Sequence, residues 1–154
     1  MRLIAHRGLM NGPDISIENH PDTIEAAWAA DFDCEIDVWR IDGKWFFGHH
    51  KPVYEVPAYF LTLGRSWFHC KNFDALDWFA NHSRGINFFW HETDPYTLTS
   101  FGYVWAYPGK PVRDNGICVL PENVMPLSDV PALNCFGVCS DYVLEIRKHL
   151  ENKA

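Results

Sequence analysis

The sequence predicts an α/β fold, in the form of a reduced, irregular barrel of eight strands with several outer helices missing. Eight short apolar runs are spaced along the chain, and helical patterns fall between only some of them. The 154 residues are also too few for a regular barrel of this class, which takes about 250 residues. The chain is long enough for one domain, residues 1–154, and too short for two.

Each predicted strand is a short run of apolar or aromatic residues that ends at turn residues. The eight runs are residues 3–6, 34–39, 44–49, 66–71, 86–91, 102–107, 116–120 and 136–140. Asp42-Gly43, between the second and third runs, is typical of a tight turn. Strands that alternate with helices favour a parallel sheet, and eight of them favour closure into a TIM-type barrel.

Three segments carry helical patterns, at residues 21–30, 72–81 and 141–150. Elsewhere the connections are short and rich in Pro and Gly. Because several outer helices are missing, part of the apolar outer surface of the predicted barrel has no helix packed against it. We expect loops, the many aromatic residues (16% of the chain) or a second subunit of a homo-oligomer to cover that surface.

Composition limits the partners and the compartment. The net charge of -7 disfavours nucleic acid, because a phosphate backbone is bound by a basic surface. No stretch is long and apolar enough to span a membrane. The five cysteines are an odd number without a CxxC pair, which suits a reducing compartment. We therefore expect a soluble cytoplasmic protein.

Glu35 and Asp37 are the first candidate site residues. They lie two apart on a predicted strand, so both carboxylates project from one face. Like charges this close repel unless a cation or protons intervene, and neighbouring oxygens are what a hard cation binds. The alternative is that Glu35 and Asp37 lie on the solvent-exposed face of an edge strand. The apolar neighbours Cys34, Ile36 and Val38 favour a sheet covered on both sides, and with it the metal site.

Two histidines lie at the ends of predicted strands. His6 and Arg7 end the first strand, where barrel enzymes place their active sites, and Arg7 could pair with a phosphate oxygen. A lone strand histidine is more often structural, but His49 at the end of the third strand favours a catalytic pair. Adjacent strand residues point to opposite faces, so we assign His49 to the site. We interpret His50 as a surface residue or a support for its neighbour.

The first third of the chain carries four ordered motifs: Ile4-Ala5-His6-Arg7-Gly8, Ile17-Glu18-Asn19, Glu35-Ile36-Asp37, and Asp42-Gly43 followed by Gly48-His49. Near the end, Gly137-Val138-Cys139-Ser140-Asp141-Tyr142 adds a fifth. Together they resemble the glycerophosphodiester phosphodiesterase family, within the phosphatidylinositol-phospholipase-C-like phosphodiesterase superfamily. His50 stands where that family has Asp, and residues 74–133 carry little of the pattern.

The resemblance implies a metal-assisted hydrolase that acts on a glycerophosphodiester-like substrate. A divalent metal ion, Mg²⁺ or Ca²⁺, is expected on Glu35 and Asp37, with Glu18 as a further candidate ligand. His6 and His49 are expected to exchange protons with the substrate as a neighbouring hydroxyl attacks phosphorus and a cyclic phosphate forms.

The family's next motif is E-x-K, which binds metal through its Glu. Here the segment Phe68-His69-Cys70-Lys71-Asn72 keeps Lys71 and places His69 at the position of Glu. A neutral nitrogen in place of an anionic oxygen favours softer metals. Glu92 is the other candidate for the missing oxygen ligand. The alternative is that Glu92 is a helix-capping or exposed acid in a turn.

The resemblance also implies that Arg7 and Lys71 contact the phosphate of the substrate. Trp105 belongs to an aromatic stripe for which core packing is the default, and at a barrel mouth its ring could stack on a substrate. Two other functions remain open. One is a barrel that binds a phosphorylated ligand without turnover, and the other is a lyase or transferase that uses the same site.

Overall fold

One mixed β-sheet of ten strands forms most of the fold in the computed structural model, which describes residues 1–153. The strands are β1 (Arg2–Ala5), β2 (Asp33–Ile41), β3 (Lys44–Phe47), β4 (Tyr54–Val56), β5 (Ser66–Cys70), β6 (Asn87–Phe89), β7 (Tyr96–Leu98), β8 (Val104–Ala106), β9 (Gly116–Val119) and β10 (Gly137–Ser140). The α-helices are α1 (Pro21–Ala29), α2 (Phe73–His82) and α3 (Val143–Glu151). Short 3₁₀ segments lie at His6–Gly8, Ala58–Thr62, Pro121–Asn123 and Leu127–Ala132.

Each of the eight predicted strands and three predicted helices is confirmed, with small shifts of boundary. The sheet adds two strands that were not predicted, β4 and β7. Seven strands run parallel in the order β6-β5-β2-β1-β10-β9-β8. β7 pairs antiparallel with β8, and β3 and β4 form an antiparallel extension of the second half of β2.

The predicted closed eight-stranded barrel is wrong. The sheet is curled into an open half-barrel, and across residues 1–153 no backbone ladder joins β6 to β7 or β8. A parallel crossover usually includes a helix. The connection from β6 to β8, residues 90–103, contains the antiparallel strand β7 in place of a helix. This side of the sheet therefore lacks both the covering helix and the strand pairing of a regular barrel. β3, counted among the eight, belongs to a hairpin.

The helices begin where side chains supply the first caps. His20 accepts a hydrogen bond from the amide of Asp22 at the start of α1, and Asn72 accepts one from the amide of Ala75 in α2. Both helices cover one face of β2, and Phe79 of α2 lies among the buried residues of this layer. Within the described chain, every helix is too short or too polar to cross a bilayer.

The other face of the sheet is concave, and its centre is apolar. It carries Ile4, Trp67, Phe89, Trp105, Ile117, Val119 and Cys139, which form one buried cluster. Because side chains alternate along a strand, β2 places Cys34, Ile36 and Val38 under the helices. Glu35 and Asp37 therefore point to the concave face, at the end where the parallel strands terminate.

Candidate metal and catalytic site

The centre of the candidate site is a pair of buried carboxylates. Glu35 and Asp37 are 2% and 0% exposed, so the alternative of a solvated edge face does not apply. β5 lies parallel to β2 with His69 directly opposite Asp37. Parallel neighbours in register project to the same face, which places one imidazole beside the two acids.

Three potential metal ligands converge at this point. Atoms Oε1 of Glu35 and Oδ1 of Asp37 lie 3.6 Å and 3.1 Å from Nδ1 of His69. One ligand atom from each residue lies within 4.8 Å of the others. The opposite ring nitrogen of His69, Nε2, is 2.6 Å from the carbonyl oxygen of His91. A carbonyl only accepts, so Nε2 carries a proton and a neutral His69 presents the lone pair of Nδ1 to the acids.

One oxygen of Asp37 supports a cation at this position. Oδ1 of Asp37 is buried and makes no hydrogen bond among the described residues, although Nδ1 of His69 lies 3.1 Å and Nζ of Lys71 3.5 Å from it. Buried carboxylate oxygens are normally satisfied, and an unsatisfied one has an explanation such as an ion. Two carboxylate oxygens and one imidazole nitrogen form a donor set that a divalent cation can use. The residues present therefore fit a metal.

Positive charge from the chain balances the acids in the protein without metal. Burial alone raises the pKa of Asp37, but contacts with His69, Arg7 and Lys71 outweigh it and hold this pKa well below its usual range. Burial alone lowers the pKa of His69, but Asp37 and Glu35 raise it to about 9. His69 is thus protonated at neutral pH when no metal is bound.

Arg7 is held by acids rather than left free for phosphate. Its Nη1 donates to Oε2 of Glu18 at 2.7 Å, and its Nε lies 3.2 Å from Oδ2 of Asp37. Its backbone N–H donates to Oε2 of Glu35 at 3.1 Å. Glu18, a candidate metal ligand in the sequence, instead orients Arg7. Both residues belong to the site as supports of the carboxylate pair.

Asn19 is a site residue that the sequence reasoning passed over. It is fully buried, its Nδ2 donates to Oδ2 of Asp37 at 2.9 Å, and its Oδ1 accepts the backbone N–H of Asp37 at 2.9 Å. Two hydrogen bonds between one amide and one residue set the position of the carboxylate. The sequence feature that could have identified Asn19 is its place in the motif Ile17-Glu18-Asn19, directly after the candidate ligand Glu18.

His6 lies beside the carboxylates at the end of β1. Its Nε2 is 4.0 Å from Oε2 of Glu35, and its Nδ1 is 2.8 Å from Oδ1 of Asp141. Burial alone lowers the pKa of His6, but the hydrogen bond to Asp141 and the charge of Glu35 raise it overall. Asp141 was not predicted as a site residue, although an acid at the end of a strand that pairs with β1 is a usable signal.

His49 follows a turn that is tied to β2. The amide of Gly48 donates to the carbonyl of Asp37 at 3.2 Å, and Nε1 of Trp39 donates to the carbonyl of Gly48 at 2.6 Å. Gly48 has φ of 147°, and a Cβ there would lie 2.2 Å from the carbonyl oxygen of Lys51, so the turn requires glycine.

The two adjacent histidines differ in exposure. His50 is exposed, and its Nε2 lies 3.2 Å from Nδ1 of the half-buried His49. Burial lowers the pKa of His49 to about 4, with Arg7 and Lys71 adding to the effect and Asp37 opposing it. His49 is thus neutral at neutral pH, whereas His6 tends toward its protonated form.

The remaining candidates differ in their access to the site. Nζ of Lys71 lies 3.5 Å from Oδ1 of Asp37, so the lysine reaches the carboxylates. Glu92 is exposed and lies outside the group of three residues that could hold a metal ion, in which His69 is the third potential ligand. Trp105 is 4% exposed and packs against Phe89 at a ring distance of 4.5 Å. The expectation that Trp105 stacks on a substrate is therefore replaced by a core role.

The candidate site combines two buried carboxylates, one imidazole aimed at them, and two further histidines with opposite shifts of pKa. Searches against protein-family models, curated proteins and solved structures found no match to this chain.

Proposed function

We propose that the protein is a metal-assisted phosphodiester hydrolase that acts on a glycerophosphodiester-like substrate, as the motif resemblance implies. The observation that carries the proposal is the convergence of His6, Glu35, Asp37 and His69 at one end of parallel strands β1, β2 and β5. These residues are separated along the chain, and a fold without a site has no need to bury two carboxylates side by side.

In the first step, His49 acts as general base and His6 as general acid. His49 takes the proton of the substrate hydroxyl as its oxygen bonds to phosphorus, and His6 protonates the alcohol whose bond to phosphorus breaks. The product is a cyclic phosphate. In the second step the roles reverse: His6 takes a proton from water, and His49 returns its proton to the ring oxygen that leaves. Each histidine is held at Nδ1, by Asp141 or His50, so Nε2 is the atom that transfers the proton.

The carboxylates and His69 would hold the metal. When bound there, a divalent ion would supply positive charge that offsets the charge building on the phosphoryl oxygens. Mg²⁺, Ca²⁺ or Mn²⁺ suits the two acids, and the nitrogen of His69 extends the range to softer ions such as Zn²⁺. Lys71, at the edge of the carboxylate pair, is our candidate for a direct phosphate contact, and Arg7 acts mainly by holding Glu35 and Asp37 in place.

The catalytic assignment is tested by replacing each histidine. His6→Ala and His49→Ala should each lower turnover of glycerophosphodiesters about 10²-fold or more, the usual contribution of a general acid or base. His82→Ala is the matched control, because His82 is an exposed histidine on α2. Phosphorus NMR of the products follows both steps. If both variants turn over the substrate as fast as the parent protein, the assignment of His6 and His49 as general acid and base is wrong.

The metal assignment has a readout that does not depend on activity. Addition of Mn²⁺ or Mg²⁺ to chelator-treated protein should raise its melting temperature, with about 2.7 kcal/mol of added stability at a concentration of 100 Kd. Glu35→Gln should abolish the increase, because it removes one anionic ligand, whereas Glu25→Gln, at an exposed position on α1, should retain it. An unchanged increase in Glu35→Gln would show that the ion binds elsewhere.

The second candidate function is binding of a phosphorylated ligand without turnover. It rests on the departures from the family pattern, with His69 in the place of Glu and His50 in the place of Asp, which weaken the affinity for a hard cation and the orientation of His49. The two proposals separate in one assay, since a binder would retain glycerophosphodiesters unchanged. Accumulation of cyclic phosphate without its hydrolysis would instead indicate a lyase, and transfer to an added alcohol would indicate a transferase.

We also propose a reducing compartment such as the cytoplasm, which the five free cysteines support. A homo-oligomer is proposed on the exposed apolar side chains Leu98 and Phe101 near the sheet edge at β7. Light scattering at micromolar concentration should then give a mass above that of one chain, and a monomer would contradict this assembly.

A further inference from the structure

We infer that a second ligand site lies at the opposite end of the sheet, and that it binds a small anion with a flat heteroaromatic ring, such as a nucleoside monophosphate. A cavity of about 440 Å³ is lined there by the first residues of four adjacent parallel strands, Arg2, Asp33, Ser66 and Asn87. The candidate catalytic residues lie at the other ends of the same strands. The cavity volume falls within the range of small-molecule sites, about 300–1,000 Å³.

Three arginines make this cavity suitable for an anion. Arg2 and Arg65 contact the buried carboxylate of Asp33, at 3.6 Å and 2.9 Å, and Arg65 also donates to Asp31 at 2.7 Å, yet the two arginine side chains remain 44% and 46% exposed. Arg84 also lines the cavity, is exposed, and forms no ion pair with any residue in the range 1–153. A guanidinium without a partner is a strong donor to phosphate or carboxylate oxygens.

Aromatic rings form another part of the wall. Trp67, Tyr103 and Phe136 follow one another, with ring distances of 5.0 Å between the first two and 4.4 Å between the last two. A flat ligand ring can stack on such a wall, because every nucleobase has an apolar face that packs against an aromatic side chain. The combination of rings and arginines favours a ligand that has both a ring and a charge.

Asn87 supplies the observation that points to a specific ligand. Its side chain lines the cavity in register with Trp67 and is 5% exposed, and its Oδ1 is buried without a hydrogen-bond partner among the described residues. A buried amide oxygen without a partner is costly, and rotation of the Asn87 amide about its Cβ–Cγ bond would turn this atom toward the cavity, where a ligand can donate to it. A side-chain amide matches the adjacent donor and acceptor on the edge of a nucleobase such as adenine. The site is independent of the proposed hydrolase activity.

The test is a titration of chelator-treated protein with adenosine monophosphate, adenosine and inorganic phosphate, followed by protein-detected NMR. We expect adenosine monophosphate to bind more tightly than either of the other two and to shift the indole N–H signal of Trp67, which donates to Asp33 at 3.0 Å. Absence of binding at millimolar adenosine monophosphate, or phosphate alone binding as tightly, would overturn the inference.

Variants locate the site. Arg84→Ala should weaken binding of adenosine monophosphate about tenfold, the scale of a hydrogen bond to a charged group. Arg113→Ala, an exposed arginine outside the cavity, should leave binding unchanged, and so should Lys71→Ala at the other end of the sheet. Because Arg84 is exposed, its loss should not disturb folding or turnover. If Lys71→Ala weakens the binding of adenosine monophosphate and Arg84→Ala does not, the ligand binds at the candidate catalytic site and the inference is overturned.

Discussion

Asp37 organises the candidate site at the scale of single residues. Asn19 holds its backbone and one oxygen, Arg7 contacts that same oxygen, and His69 and Lys71 lie near the other. A buried carboxylate with this many cationic neighbours stays ionised, because the neighbours together lower its pKa more than burial raises it. One residue thus links the metal group, the predicted phosphate contacts and the backbone of β2.

The opposite pKa shifts of His6 and His49 predict a bell-shaped dependence of turnover on pH. His49 must be neutral to accept a proton, so turnover should rise with pH through its lowered pKa of about 4. His6 must be protonated to donate, so turnover should fall as pH rises above its raised pKa, beyond 6.5. The measurement is kcat/KM against pH, which reports the pKa values of the free enzyme, with metal held at saturation for each point.

A variant separates the two limbs of this profile. Asp141→Asn removes the charge whose hydrogen bond raises the pKa of His6, so the high-pH limb should move to lower pH. The low-pH limb should stay in place, since Asp141 is not among the groups that shift the pKa of His49. Movement of both limbs together, or of neither, would contradict the assigned roles.

At the scale of elements, Asn72 joins helix α2 to strand β2. Its Oδ1 accepts the amide of Ala75 as the cap of α2 and also the amide of Arg40, and its Nδ2 donates to the carbonyl of Arg40 at 2.7 Å. The same side chain thus starts a helix and pairs with the exposed backbone of a strand. This junction follows directly after Lys71, which it helps to place at the end of β5.

We predict that Asn72→Ala lowers the free energy of unfolding by about 1–2 kcal/mol, the upper range for loss of a helix cap, because it also frees the backbone of Arg40. Asn81→Ala is the control: Asn81 lies on the same helix and bonds only to Asp77, one turn before it. Urea denaturation of both variants measures the difference. Equal stability of the two would show that the bonds of Asn72 to β2 contribute little.

At the scale of the whole molecule, side-chain packing replaces the backbone pairing that would close a barrel. Trp105 of β8 contacts Phe89 of β6 and Trp67 of β5, at ring distances of 4.5 Å and 5.9 Å. These strands lie on opposite sides of the opening in the sheet. Aromatic contacts across the concave face therefore hold together the two ends of the curled sheet.

Trp105→Ala should accordingly lower the free energy of unfolding by about 3–5 kcal/mol, the usual cost of removing a large buried aromatic side chain. Trp90→Ala is the matched control, because Trp90 follows β6 directly but is 36% exposed. Chemical denaturation followed by circular dichroism compares the two. A loss of stability in Trp105→Ala no larger than in Trp90→Ala would mean that the opening is not held by this cluster.

Much of the local structure could be predicted from the sequence. Apolar runs and turn residues report the conformation of their own segment, which is why the eight strands and three helices appear where the patterns place them. The two-residue repeat of a strand also placed Glu35 and Asp37 on one face before any partner strand was known. The order of the strands and the open side of the sheet depend on distant pairings that no local pattern reports.

The candidate site was likewise predictable in its local features and not in its long-range contacts. By itself the sequence determined the residue types, their spacing on each strand and the face to which they point, because these follow from backbone geometry within a few residues. Only the tertiary structure decided that Asp141 holds His6 from 135 positions away and that Arg7 is occupied by Glu18 and Asp37. It also decided that the sheet stays open. Contacts between distant segments depend on which surfaces pack together, and that free energy is summed over the whole chain.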